Sequence, residues 1–251
     1  KFFADRADSK PIMSRSETPR PINNLRAYGV KPFDVAVLHG GPGAPGGMAP
    51  VARELSSLRG VLEPLQSASS VEGQVQDLHA ALDENADLPV TLIGWSWGAW
   101  LGFIVASRYP SFVRKLILIG SGPFEEAYVQ RIMETRLGRL SEAERVEALA
   151  LVEDLRNPAG GGQPAALARF GVLMSKADTY DPLPHQSEGL EVQDSVHQQV
   201  WREASELRSS GRLLAFGETI QCPVVAIHGD YDPHPLEGVR EPLTRVLSDF
   251  R

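Results

Sequence analysis

The sequence predicts an open α/β fold, a mostly parallel sheet flanked by helices and interrupted by a helical insertion, on three observations. First, four short apolar runs each end in glycine: FDVAVL (33–38) leading into HGGPG, VTLIG (90–94), KLILIG (115–120) and PVVAIHG (223–229). Continuous apolar runs of this length read as strands buried on both faces, as parallel sheets require. Second, helical patterns lie between these runs, and strand–helix alternation implies right-handed crossovers. Third, residues 123–216 pass without a strand-like run.

Taken in order, residues 1–33 are expected to form an irregular arm, because Pro11, Pro19, Pro21, Gly29 and Pro32 interrupt any period. Met13 is a candidate start, which would set residues 1–12 apart from the native chain. The α/β core is expected over 34–122 and 217–251. Within it Val71, Val75, Leu78 and Leu82 recur at helical spacing, and WGAWLGFIVASRY (97–109) is apolar nearly all round, as a central helix packed on most sides would be. Residues 123–216 are expected to form a helical cap over the C-terminal sheet edge, where open α/β folds bind ligands. Ser141 and Glu144 make a capping-box pattern ahead of Val146, Leu149 and Val152, with Pro158 and three glycines marking the break after it. PAALARFGVLM (164–174) predicts a further helix, and Val192, Val196, Val200, Ala204 and Leu207 mark the stripe of a longer one ending near Gly211. Residues 235–250 read as a helix, and DFR (249–251) as the start of another strand.

Bulk properties narrow the function. At 251 residues the chain suits one core domain with an insertion. A formal net charge of -7 offers no basic stripe for phosphates, so nucleic acid is not expected as a partner, and no apolar stretch has the length of a membrane span. The single cysteine, Cys222, permits no internal disulfide and fits a reducing, cytoplasmic setting. No metal-ligand spacing such as HExxH occurs, and no cofactor is expected. The expected partner is a small-molecule or short-peptide substrate.

The chemistry is concentrated in GWSWG (94–98). A G-x-S-x-G pattern is weak alone in a chain with 23 glycines, but here it follows the strand VTLI and opens a helix at Trp97. That arrangement lifts a serine hydroxyl above a sheet, so Ser96 is the candidate nucleophile; the plainer alternative is a serine N-cap. Attack on a carbonyl creates an oxyanion that needs main-chain donors. Trp97 N–H, at the helix N-terminus, is one candidate, and Gly41 N–H in HGGPG (39–43) is the other. His39 is expected to fix that loop. HGDYD (228–232) supplies a carboxylate at a third strand end, from Asp230 or Asp232.

HGGPG, GWSWG and HGDYD, in that order, resemble the α/β-hydrolase superfamily and specifically its proline-iminopeptidase-like serine hydrolase branch. The resemblance runs from about residue 34 onward. It implies Ser96 as nucleophile, Gly41 in the oxyanion hole, Asp232 as the triad acid and 123–216 as the cap. It departs in two places. The D-x-R-G-x-G-x-S segment typical of proline iminopeptidases is LEPLQSASS (62–70) here. The triad order Ser, Asp, His places the base on a loop well after the acid, yet His234 follows Asp232 by two residues and no histidine follows it. His79, His185, His197 and His234 read as packing, surface or turn residues, so the base, with a last strand and helix, is expected beyond residue 251. Glu125, Glu126 and Glu134 read as a solvated face. The expected function is therefore hydrolysis of an ester or amide through an acyl-enzyme on Ser96, aminopeptidase-like in its narrowest form. Without its base the chain to residue 251 would be inactive. The alternative is a non-catalytic ligand-binding or interaction protein on the same scaffold.

Overall fold

The computed structural model describes residues 24–156, 163–181 and 193–251. Along the chain the elements are β1 (Leu25–Tyr28), β2 (Phe33–Leu38), α1 (Ala49–Ser56), β3 (Gly60–Pro64), α2 (Val71–Asn85), β4 (Val90–Trp95), α3 (Trp97–Arg108), β5 (Val113–Ile119), α4 (Val129–Arg139), α5 (Glu142–Arg156), α6 (Gln163–Asp178), α7 (Asp194–Ser209), α8 (Arg212–Ala215), β6 (Val224–Ile227) and α9 (Glu237–Val246). The six strands form one sheet in the order β1-β3-β2-β4-β5-β6, parallel except for β1. Residues 249–251 extend this sheet in parallel along β6: Val224 N–H donates to Asp249 O (2.9 Å) and Ala226 N–H to Arg251 O (2.8 Å).

The four glycine-ended runs are β2, β4, β5 and β6, and α3 is the central helix. Every residue from Trp97 to Ala106 is buried, so α3 has no solvent face to make polar. Its approach to the sheet is close enough that a Cβ on Gly98 would strike the Leu38 carbonyl, and one on Gly94 would strike Gly98 itself. Hence glycine at both ends of the serine turn is a packing requirement.

Two strands depart from expectation. The irregular arm expected over 1–33 is interrupted by β1, which pairs antiparallel with β3 (Leu25 with Pro64, Tyr28 with Val61); residues 1–23 lie outside the described residues. Strand β3 itself carries Gly60, Glu63 and Pro64, a composition that hides it. Glu63 is nonetheless fully buried, because Tyr28 Oη donates to it at 2.8 Å, Met48 N–H at 3.1 Å, and Arg26 stands 3.6 Å away. A buried carboxylate with three partners avoids the large cost of an unpaired one, and here it ties β1 and β3 to the start of α1.

Among its described residues, 123–216 contains helices and no strand. The Ser141–Glu144 box forms, with Ser141 N–H donating to Glu144 Oε2 (3.0 Å) and Glu144 N–H to Ser141 Oγ (3.4 Å). Helix α6 covers the expected 164–174, and α7 buries Val196, Val200 and Ala204 as its stripe predicts. Pro158, the three glycines and Val192 fall outside the described residues. No helix among the described residues is long and apolar enough to cross a membrane.

Candidate active site

Ser96 sits between β4 and α3 with φ 53° and ψ −113°, and among the described residues it is the only non-glycine with positive φ. Such backbone costs about 1–3 kcal/mol and persists only where the surroundings impose it. They do: Ser96 N–H donates to Ile119 O at 2.9 Å, pinning the bend to the end of β5, while the two glycines lock α3 against β2 and β4. Ser96 precedes the first helical residue, yet its side chain makes no capping hydrogen bond. The hydroxyl is therefore not used as an N-cap, and it is half-buried rather than enclosed.

The two candidate donors are held by separate devices. Trp97 N–H, at the first helical position, has no intrahelical acceptor and lies at the positive end of the α3 dipole. Its indole is buried and donates Nε1–H to Gln74 Oε1 at 2.8 Å; Gln74 in turn donates to Ala68 O at 3.0 Å. Gly41 has φ +60°, the left-handed region that glycine adopts without strain. The orientation of its N–H follows from His39. That ring is fully buried, and its Nδ1 lies 3.0 Å from Gly40 O, which can only accept, so Nδ1 carries the proton. Gly40 C=O and Gly41 N–H belong to one trans peptide and point opposite ways. Fixing the carbonyl on the imidazole therefore aims the N–H away from it. Burial pushes the His39 pKa below the usual 6.5, outweighing the carbonyls of Gly40 and Gly41 and Gln66, so the ring stays neutral.

The candidate acid, Asp232, is tied toward the end of β5 by a second chain of main-chain bonds. Gly120 N–H, at the end of β5, donates to Ile227 O at the end of β6 (3.0 Å), and the 228–232 turn closes with Asp232 N–H on Gly229 O (3.1 Å). A Cβ built on Gly120 would lie 3.1 Å from Asp232 Oδ2 and 3.6 Å from the Trp95 indole, so the Asp232 carboxylate stands beside the residue that follows the serine's anchor. Asp230 is exposed. Asp232 Oδ1 accepts from His234 twice, from Nδ1 at 2.7 Å and from the main-chain N–H at 2.9 Å. Burial alone would raise the Asp232 pKa, but these bonds and the charges of His234 and His228 outweigh it, so the carboxyl titrates below its ordinary 3.8. A cavity of about 440 Å³ opens between α4 and this turn, lined by Arg131, Thr135, Arg139, His228, Asp232 and His234.

The base expected of a triad is not joined to Ser96 among the described residues. The chain has six histidines. His39 is buried on Gly40 O, and His79 packs tilted against Tyr109 and stacked on Phe112 with centroids 4.1 and 4.7 Å away. His197 bonds Pro42 O (3.1 Å), His228 bonds His234 O (2.8 Å), and His234 bonds Asp232. His185 falls outside the described residues. The three glutamates singled out in 123–216 are engaged in pairs: Glu125 with Arg245, Glu126 with Arg208 (2.8 Å) and Glu134 with Gln130 (2.8 Å). Glu126 and Glu134 are exposed and Glu125 is half-buried, in keeping with a solvated face whose members pair with their neighbours. The sequence reading does not single out Gln74, although a glutamine on the 71, 75, 78 apolar face is a usable signal, and it takes His197 only as a packing or surface residue.

The sequence profile of the alpha/beta hydrolase fold family matches residues 35–234, which span all three loops described above. The chain belongs to the α/β-hydrolase fold family. No curated protein sequence matches it. Among solved structures, this α/β hydrolase-fold protein is similar to VinJ (18% identity, TM-score 0.65, covering 90% of this chain and 84% of that one). It is also similar to proline iminopeptidase from Mycobacterium smegmatis (18%, 0.56, 92% and 87%) and to a thioesterase domain from the curacin biosynthetic pathway (18%, 0.55, 90% and 87%). At these identities the likeness is one of fold. The iminopeptidase is one neighbour among several α/β hydrolases, so the superfamily stands while the branch does not follow from it.

Proposed function

We propose that this α/β-hydrolase fold protein is a serine hydrolase that cleaves an ester or amide through an acyl-enzyme on Ser96. The observation that carries the reading is the strained serine whose hydroxyl makes no capping bond. A structural serine at a helix start would relax to ordinary backbone and cap the helix. In the proposed step Ser96 Oγ attacks the carbonyl carbon as a general base, an imidazole other than His234 that Asp232 orients, takes the hydroxyl proton. The carbonyl oxygen becomes an oxyanion bonded by Trp97 and Gly41 N–H. The imidazolium then protonates the leaving group, and water repeats the sequence to free the acid. Residues 123–216 act as the cap that shapes the acyl side of the site, and a small molecule or short peptide is the substrate.

Rapid mixing of the full-length protein with a p-nitrophenyl ester is expected to give a burst of nitrophenolate equal to the enzyme concentration, then slower turnover. Amino-acid naphthylamides run in parallel test the aminopeptidase-like form. Neither burst nor turnover with any of these would favour the ligand-binding alternative.

His234 is a partner of the acid rather than the proton acceptor. Both hydrogen bonds that it donates fall on Asp232 Oδ1, and among the described residues no hydrogen bond joins it to Ser96. His234→Ala is accordingly expected to lower kcat by no more than about ten-fold. A loss as deep as that of a serine replacement, measured with the same ester, would make His234 the base.

A further inference from the structure

Helix α7 begins on the oxyanion loop. Gln193 N–H donates to Gly43 O at 2.8 Å, and His197, one turn on, places Nδ1 3.1 Å from Pro42 O. A carbonyl only accepts, so Nδ1 carries the proton in this bond. The approach is tight: a Cβ on Gly43 would lie 2.6 Å from Gln193 O and 3.0 Å from His197 N. The ring is also fixed from behind. It stacks on Trp201 (6.3 Å, 6° between planes), which stacks on Trp100 of the central helix (5.8 Å, 1°). Farther along α7, Glu203 accepts the Val71 N–H at the start of α2 (2.7 Å), and Val196 is buried in the main core. Thus α7 is bolted to the core at several points, and two of them are the carbonyls following Gly41.

Resting on the acyl-transfer reading above, we propose that His197 is a positioning residue for the oxyanion hole. By holding the Pro42 carbonyl it lets the helical segment fix the Gly41 N–H. The loop's own closure is slight, a single Ala44 N–H bond to Gly41 O (3.0 Å). His39 sets the 40–41 peptide from one side, and His197 and Gln193 set the 42–43 and 43–44 peptides from the other. A loop of glycines fixed at both ends presents its donor without reorganising as charge develops.

The test uses His197→Phe, which keeps a flat ring on Trp201 and loses the donor, and His197→Asn, whose side-chain N–H stands about where Nδ1–H does. With a p-nitrophenyl ester, His197→Phe is expected to lower kcat about 10- to 50-fold with KM within two-fold, and His197→Asn to recover most of that loss. Amide hydrogen exchange across 39–44 is expected to rise in His197→Phe while melting temperature changes by no more than a few degrees. Unchanged kcat in His197→Phe, or no recovery in His197→Asn, would overturn the positioning role. Unchanged exchange would overturn the clamp even in a protein that hydrolyses nothing, whereas failure of the acyl-transfer reading would show as an unaltered protein inactive on every ester.

Discussion

Ser96→Ala is expected to lower ester hydrolysis by at least about 10⁴-fold while leaving the protein folded. Alanine removes the nucleophile and keeps everything that builds the bend: the N–H on Ile119 O and glycines at 94 and 98. The residual rate would come from binding and main-chain donors alone. The same position makes an opposite prediction for stability. Because φ is 53° at a non-glycine residue, Ser96→Gly relieves strain and is expected to raise stability by about 1 kcal/mol, a shift of a few degrees in melting temperature. A nucleophile held in strained backbone, as proposed for Ser96, is the case in which activity and stability move apart. Equal stability of the serine and glycine forms in urea melts would show that the bend stores no strain.

The second large effect is expected at Asp232. Asp232→Asn keeps the shape of the turn but removes the charge that stabilises an imidazolium and selects its tautomer, so kcat is expected to fall about 10³- to 10⁴-fold. Its stability effect should depend on pH. The folded pKa of Asp232 lies below the ordinary 3.8, so the carboxylate stabilises the fold fully above that value, and this contribution is lost as pH falls below it. Urea melts of wild type and Asp232→Asn are expected to differ at pH 6 and to converge as pH falls below the ordinary 3.8. A gap that widens on acidification would contradict the assignment of Asp232 as an ion held by His234.

What was legible in the sequence was what is local. Strands β2, β4, β5 and β6 are apolar on both faces and end in glycine, so composition alone marks them. The buried helix α3 is legible for the same reason, and the 141–144 box because its donors and acceptors lie within one turn. Strand β1 is four residues long and takes its structure from pairing with β3, a partner far along the chain. Strand β3 was hidden by Glu63, whose burial depends on Tyr28 and Met48 rather than on its neighbours in sequence. The site divides in the same way. Ser96, Gly41 and Asp232 sit in short glycine-rich loops whose proposed chemistry is readable on sight, and the structure sets those loops at the ends of β2, β4 and β6, the first two neighbours and the third separated from β4 by β5. Their supports are less readable: Gln74 stands out only as a polar residue on an apolar helix face, and nothing local pairs it with Trp97, 23 positions away, or His197 with Pro42, 155 away. Such residues acquire meaning only when the fold brings the partner within bonding distance.

The central claim is that the Ser96 hydroxyl is an activated nucleophile with two main-chain donors beside it. Incubation of the full-length protein with a fluorophosphonate, followed by intact-mass measurement and peptide mapping, tests it most directly. One adduct per chain on the peptide containing Ser96, absent from Ser96→Ala, is the predicted result. A folded protein that gains no adduct, or gains one on another residue, would contradict it.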